Sequence, residues 1–202
     1  MLITFDTSGF QPSGDGTWQH PRTGDYISVS GDNGRLTEPV WLDDLPALRR
    51  ELAREYAEMG CLIEADRVRV GTGPEAADAA YQLAKTKIPN REHGLVFMVQ
   101  FMFAKQDASF YVTMMAEELG VTGVREATLA AKLGVDGFYL DHPYDPRLKS
   151  QLPFLRADDP AFDQQYPDHP LSRARAWARG FAASAAVNPS FAALPDFYGA
   201  GA

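Results

Sequence analysis

Only one cysteine, Cys61, occurs in the 202 residues, so no internal disulfide and no cysteine-based zinc site can form. Cys61 follows a glycine that reads as a helix stop and opens an apolar run, which points to burial as a small hydrophobe and not to a nucleophile. No run of about 18 apolar residues is present, so no segment reads as a membrane-spanning helix. Positive charge is also scarce. The chain has 19 Lys and Arg against 27 Asp and Glu, a net charge of -8, the wrong sign for a surface that neutralises phosphates. Nucleic acid and membrane are therefore not expected partners. Residues 1–10 contain Asp6 and no basic side chain; they do not read as a signal peptide, and a cytoplasmic location is expected. The familiar catalytic signatures are missing too: there is no Gly-x-Ser-x-Gly elbow, no His-Glu-x-x-His helix and no calcium loop, and the Gly71 to Pro74 turn lacks the continuation of a phosphate cradle. Neither a cofactor nor a metal is expected.

What the chain does have is a core. Its 45% hydrophobic and 11% aromatic content exclude disorder, and no linker-like tract divides it, so one domain is expected. Residues 1–134 read as a sheet-and-helix core, and residues 135–202 as an Asp- and Pro-rich connector followed by a C-terminal helix packed on that core. The organising stretch is Gly94 to Glu118, read as a central antiparallel hairpin. Leu95, Phe97, Val99, Phe101 and Phe103 share one face by the two-residue period; Val96, Met98, Met102 and Ala104 share the other, with Gln100 the one polar residue. A strand apolar on both sides must be covered on both.

Around this hairpin the chain reads in order. Leu2 to Asp6 suggests a short strand, and Trp18 with Tyr26 to Ser30 a second hairpin. Asp43 or Asp44 caps a helix with Pro46 in its first turn, ending at Gly60. Its stripe of Leu45, Leu48, Leu52, Tyr56 and Met59 is placed to cover one face of the sheet. Strands follow over 61–70 and, in preference to a helix, over 76–87. Thr122 is expected to cap a second helix to Leu133, the candidate cover for the other face. The connector carries Phe138, Tyr139, Leu152, Phe154 and Leu155 as its anchors. The last helix, Leu171 to Val187, is capped by Asp168 or His169, anchored by Trp177 and Phe181 and stopped at Asn188-Pro189.

Three places could carry chemistry. Asp-His-Pro occurs twice, at 141–143 and 168–170, so His142 and His169 could meet as metal ligands or as an orienter and base; each segment is equally an ordinary turn or helix start. Glu117, Glu118, Arg125 and Glu126 cluster where the hairpin gives way to the second helix. A buried carboxylate beside others has a raised pKa, as a general acid requires, whereas pairing with Arg125 or Lys132 would make the cluster structural. Arg173, Arg175 and Arg179 concentrate positive charge on an acidic protein and read either as a solvated helix face or as a docking site for an acidic partner.

Taken together, Trp18, the Asp43 to Gly60 helix and the Phe-rich hairpin make residues 1–134 resemble the PsbP-like family. That resemblance implies an α+β fold, an antiparallel sheet covered on both faces by helices in an α/β/α sandwich, here with a C-terminal loop-plus-helix extension. It also implies a non-catalytic protein. Two functions are expected for the chain. One is a protein-binding or adaptor module whose partner is another protein with an acidic patch. The alternative is a small-ligand-binding protein or hydrolase-type enzyme, with Glu118, Glu126, His142 and His169 lining a site between the sheet end and the connector.

Overall fold

A computed structural model describes residues 2–32, 36–73 and 76–199; Asn33, Gly34 and Pro74, expected in turns, lie outside the described residues. The expected hairpin forms as β7 (Leu95–Lys105) and β8 (Ala108–Glu117), paired antiparallel from Val96 with Glu117 to Lys105 with Ala108. Beside them stand β2 (Gln11–Gly14), β3 (Thr17–Gln19), β4 (Tyr26–Asp32), β5 (Gly60–Val70) and β6 (Ala77–Lys87). The seven make one antiparallel sheet in the order β2-β3-β4-β8-β7-β6-β5. The first strand, β1 (Ile3–Thr4), leaves this sheet to pair with β11 (Ala186–Val187) near the other end of the chain. A second small sheet joins β9 (Tyr139–Leu140) to β10 (Phe154–Leu155).

The two faces are apolar for the reason that the alternation predicts. On one, Phe97, Val99, Phe101 and Phe103 meet Phe110, Val112 and Met114, with Leu171, Ala174, Ala178 and Phe181 of α3 (Pro170–Ser184) above them. On the other, Met102, Ala80, Ala84 and Leu62 meet Leu48, Leu52 and Tyr56 of α1 (Leu45–Ala57). Each buried Phe contributes roughly 1.5–3 kcal/mol, several times a surface ion pair, so this layer sets the architecture.

The molecule is nevertheless mostly antiparallel sheet with few helices, not the helix-covered α/β/α sandwich that the order of elements suggests. The helix expected as the second cover, α2 (Val124–Leu133), shows why. It buries only Arg125 and Leu129, leaves Val124 and Leu133 exposed, and packs on the Arg156–Asp158 turn. Its apolar stripe is too narrow to seat it on a sheet face. Its N-cap is Gly123, at φ 69°, and not Thr122. Gly60 also differs in role, opening β5 instead of closing α1. A Cβ there would lie 2.0 Å from the Lys85 carbonyl oxygen, so the residue is required by the close approach of β5 to β6.

The connector runs along the outer edge of β5. His142 donates from Nε2 to the Leu62 carbonyl (3.0 Å), Ala65 donates its N–H to the Tyr144 hydroxyl (2.8 Å), and Leu152 donates to the Gly60 carbonyl (3.2 Å). The tail after the last helix docks on the body: Lys105 pairs with Asp196 (2.6 Å), and Phe197 packs edge-on against Trp41. Among the described residues, no helix is long and apolar enough to cross a membrane.

Candidate functional site

Three chain segments meet where β8 ends. Glu118 follows β8 directly, Glu126 sits in the first turn of α2, and His169 caps α3. Glu118 is drawn inward because its oxygens accept the N–H groups of Leu95 (3.0 Å) and Gly123 (2.8 Å), which ties the start of β7 to the loop before α2. His169 is held as an N-cap, its Nδ1 accepting the Leu171 N–H at 3.3 Å, while its ring stands edge-on to Phe97. Nε2 then lies 3.6 Å from Glu118 and 3.8 Å from Glu126. The three side chains are 5% (Glu118), 16% (Glu126) and 8% (His169) exposed, and among the described residues neither buried His169 Nε2 nor buried Glu126 Oε2 has a hydrogen-bond partner.

The electrostatics are asymmetric. Burial opposes ionisation of Glu118, but the His169 contact and the N–H groups of Gly123 and Leu95 outweigh it and hold its carboxyl below the ordinary range. Glu118 is therefore an acceptor, not a proton donor, and does not suit the general-acid role. Nor does Arg125 neutralise this pair of acids. It is fully buried and donates to Asp163 (3.0 Å), Ser172 (2.9 Å) and the carbonyls of Ala157 and Asp159.

Glu118, Glu126 and His169 offer one ligand atom each within 4.8 Å of one another, so they are the residues that could hold a cation. The cap bond opposes it. A metal-bound Nε2 needs its proton on Nδ1, where the Leu171 N–H already points. In the capped state the ring carries its proton on Nε2, aimed at the carboxylates. The trio suits a hydrogen-bonding ligand better than an ion.

Beside it opens a concavity of about 500 Å³, lined by Glu118 and His169, by Arg22 and Thr23 of the loop before β4, by Tyr166 and Arg173, and by the apolar Leu119, Val121 and Val124. Arg173 clamps that loop in place through two bonds to buried Asp25 (2.8 and 2.7 Å). Of the residues expected here, Glu118, Glu126 and His169 converge. His142 does not: it is bonded at the β5 edge, two strands from Phe97, or roughly 10 Å across the sheet.

The arginine cluster also separates. Arg175 is 3% exposed, bonded to Glu64 (2.6 Å) and Asp163 (2.9 Å); Arg173 holds Asp25; Arg179 alone is exposed. Arg22, Thr23 and Tyr166 escaped the sequence reading because nothing local marks them, and the Arg173–Asp25 clamp spans 148 positions. Cys61 is buried as expected, its thiol pushed up to about 11, chiefly by burial. No family model matches this sequence and no match is found among curated proteins, so neither comparison bears on the resemblance to the PsbP-like family.

Proposed function

We propose that the chain is a small-ligand-binding protein whose site is the concavity at the end of β8. One observation carries this reading: His169 presents a buried Nε2 with no hydrogen-bond partner among the described residues, beside an acid pair and a space of about 500 Å³. A desolvated donor costs about 1–3 kcal/mol when left unmet, and a ligand acceptor would recover that. Glu117, Glu118 and Asp168 in the lining are matched by Arg22, Arg125 and Arg173, so the lining selects neither sign of charge. The fitting ligand is neutral, with an amide or hydroxyl for His169 and an apolar body for Leu119, Val121 and Val124. Nδ1 of His169 is committed to the cap, which leaves Nε2 as a donor and the ring without a free base nitrogen, and this favours binding over catalysis.

The test is a titration with small aromatic amides and alcohols followed by amide-resolved NMR. Binding should move the Leu95, Gly123 and Leu171 amides, which report on Glu118 and His169, and His169→Asn should abolish the response. A silent set of those three amides, or a response unchanged in the variant, overturns the reading. A second reading, a protein-binding module, is favoured by the exposure of Leu119 (51%) and Val121 (83%) on the rim of the concavity. His169→Asn separates the two, since it would disable a ligand seated at His169 and spare a protein contact on the rim.

A further inference from the structure

On the face of the sheet that α1 covers lies a second recess, of about 500 Å³, which shares no lining residue with the His169 site. Its lining includes Gln82 and Gln100, part of a polar row across three strands. Gln82 of β6 donates to Gln100 of β7, and Gln100 donates to Thr113 of β8 at 3.2 Å. That direction of donation leaves Gln82 Oε1 over: the residue is 5% exposed, and this carbonyl oxygen is buried without a hydrogen-bond partner among the described residues. The rim is acidic. Glu38, Glu51, Glu55 and Glu58 line it against one cation among the described residues, Arg54, which is taken up by Glu51 at 2.8 Å. Burial, and then the charge of Glu38, raise the Glu55 carboxyl above its ordinary value, as expected where negative charge gathers unmatched. The sides are apolar, with Val40, Leu48, Leu52 and Met102.

These features select one kind of ligand. An unmet acceptor requires a donor, a carboxylate rim requires positive charge, and a hydrocarbon wall requires a short alkyl body. A primary ammonium provides donors and no acceptor. An anion meets the wrong sign, and a bare divalent cation would want several oxygens converging within ligand reach, which no group of acids here supplies among the described residues. We propose that this recess binds a small aliphatic amine, its ammonium held by the Gln82 carbonyl and the carboxylate rim and its chain against Leu52 and Met102.

The experiment titrates the full chain with butylamine, and with butyrate as the control of opposite charge, by calorimetry and by NMR of the glutamine side-chain amides. The expected result is saturable butylamine binding that shifts the Gln82 and Gln100 resonances and is absent with butyrate. Glu38→Gln combined with Glu55→Gln, a pair on the rim and not in the core, should weaken it about tenfold. Gln82→Leu should weaken it as well, and if that variant does not fold, the rim pair decides alone. His169→Asn should leave it unchanged, which keeps this inference separate from the function proposed above. Failure to saturate, an equal response to butyrate, or full affinity in the rim variant would overturn it.

Discussion

The two Asp-His-Pro segments begin alike and end differently. In both, Nδ1 accepts the backbone N–H two residues on, from Tyr144 and from Leu171, each at 3.3 Å. The local motif therefore sets the same tautomer twice, with the proton on Nε2. His142 turns that proton to the Leu62 carbonyl at 3.0 Å and is closed. His169 turns it toward two carboxylates beyond hydrogen-bond distance and is left open beside a concavity. Sequence context dictates the state of the ring; only the tertiary neighbour decides whether it is a structural bond or an available one.

Substitutions can test this contrast, and the largest effect is expected where a closed contact is also charged. Lys85 and Asp158 pair at 2.6 Å, 2% and 1% exposed, with Asp158 also accepting the Leu155 N–H. Asp158→Ala strands a buried ammonium and should cost about 3–5 kcal/mol in denaturant melts. Next comes His142→Ala, which leaves the Leu62 carbonyl unmet at the β5 edge and should cost about 2 kcal/mol. The acid side of the stability curve should divide the two regions. Burial holds His142 below its ordinary 6.5, so its contribution is complete above that pH and fades as pH falls through the lower folded value. Glu118, also lowered, contributes above its ordinary 4.5 and loses that contribution only in stronger acid. Stability measured against pH should show two separate declines, with His142→Asn removing the upper one and Glu118→Gln the lower. The smallest change is expected for His169→Asn, which keeps a capping side chain and should cost under about 0.5 kcal/mol, against about 1 kcal/mol for His169→Ala. If the His142 and His169 variants proved equally destabilising, the contrast between closed and open would fail.

Much of this was legible in the residues. The alternation over 95–103 revealed a strand buried on both faces, and Gln100, the one polar residue in it, marked the row that crosses to Gln82 and Thr113. Asp44 and His169 announced their helices as caps, because capping is a local bond. The cover of the second face was not legible. Leu129 and Leu133 suggest an apolar stripe, but whether a short stripe meets a sheet or a turn depends on distant chain. The site was half legible for the same reason. Glu118, Glu126 and His169 drew notice as titratable groups at element ends, while Arg22, Thr23 and Tyr166 belong to it only through contacts that no spacing encodes. Arg175 looked like part of a surface patch, yet it is buried where partners from β5 and the connector claim it.

The bonds that His142, Tyr144 and Leu152 make along β5 occupy positions that an eighth strand would otherwise fill. Without them the sheet would end in open backbone groups, a template for edge-to-edge stacking of one molecule on the next. The loop thus covers that edge against further strand pairing, and a proteolytic nick within residues 142–152 should raise the chain's tendency to aggregate, read by light scattering.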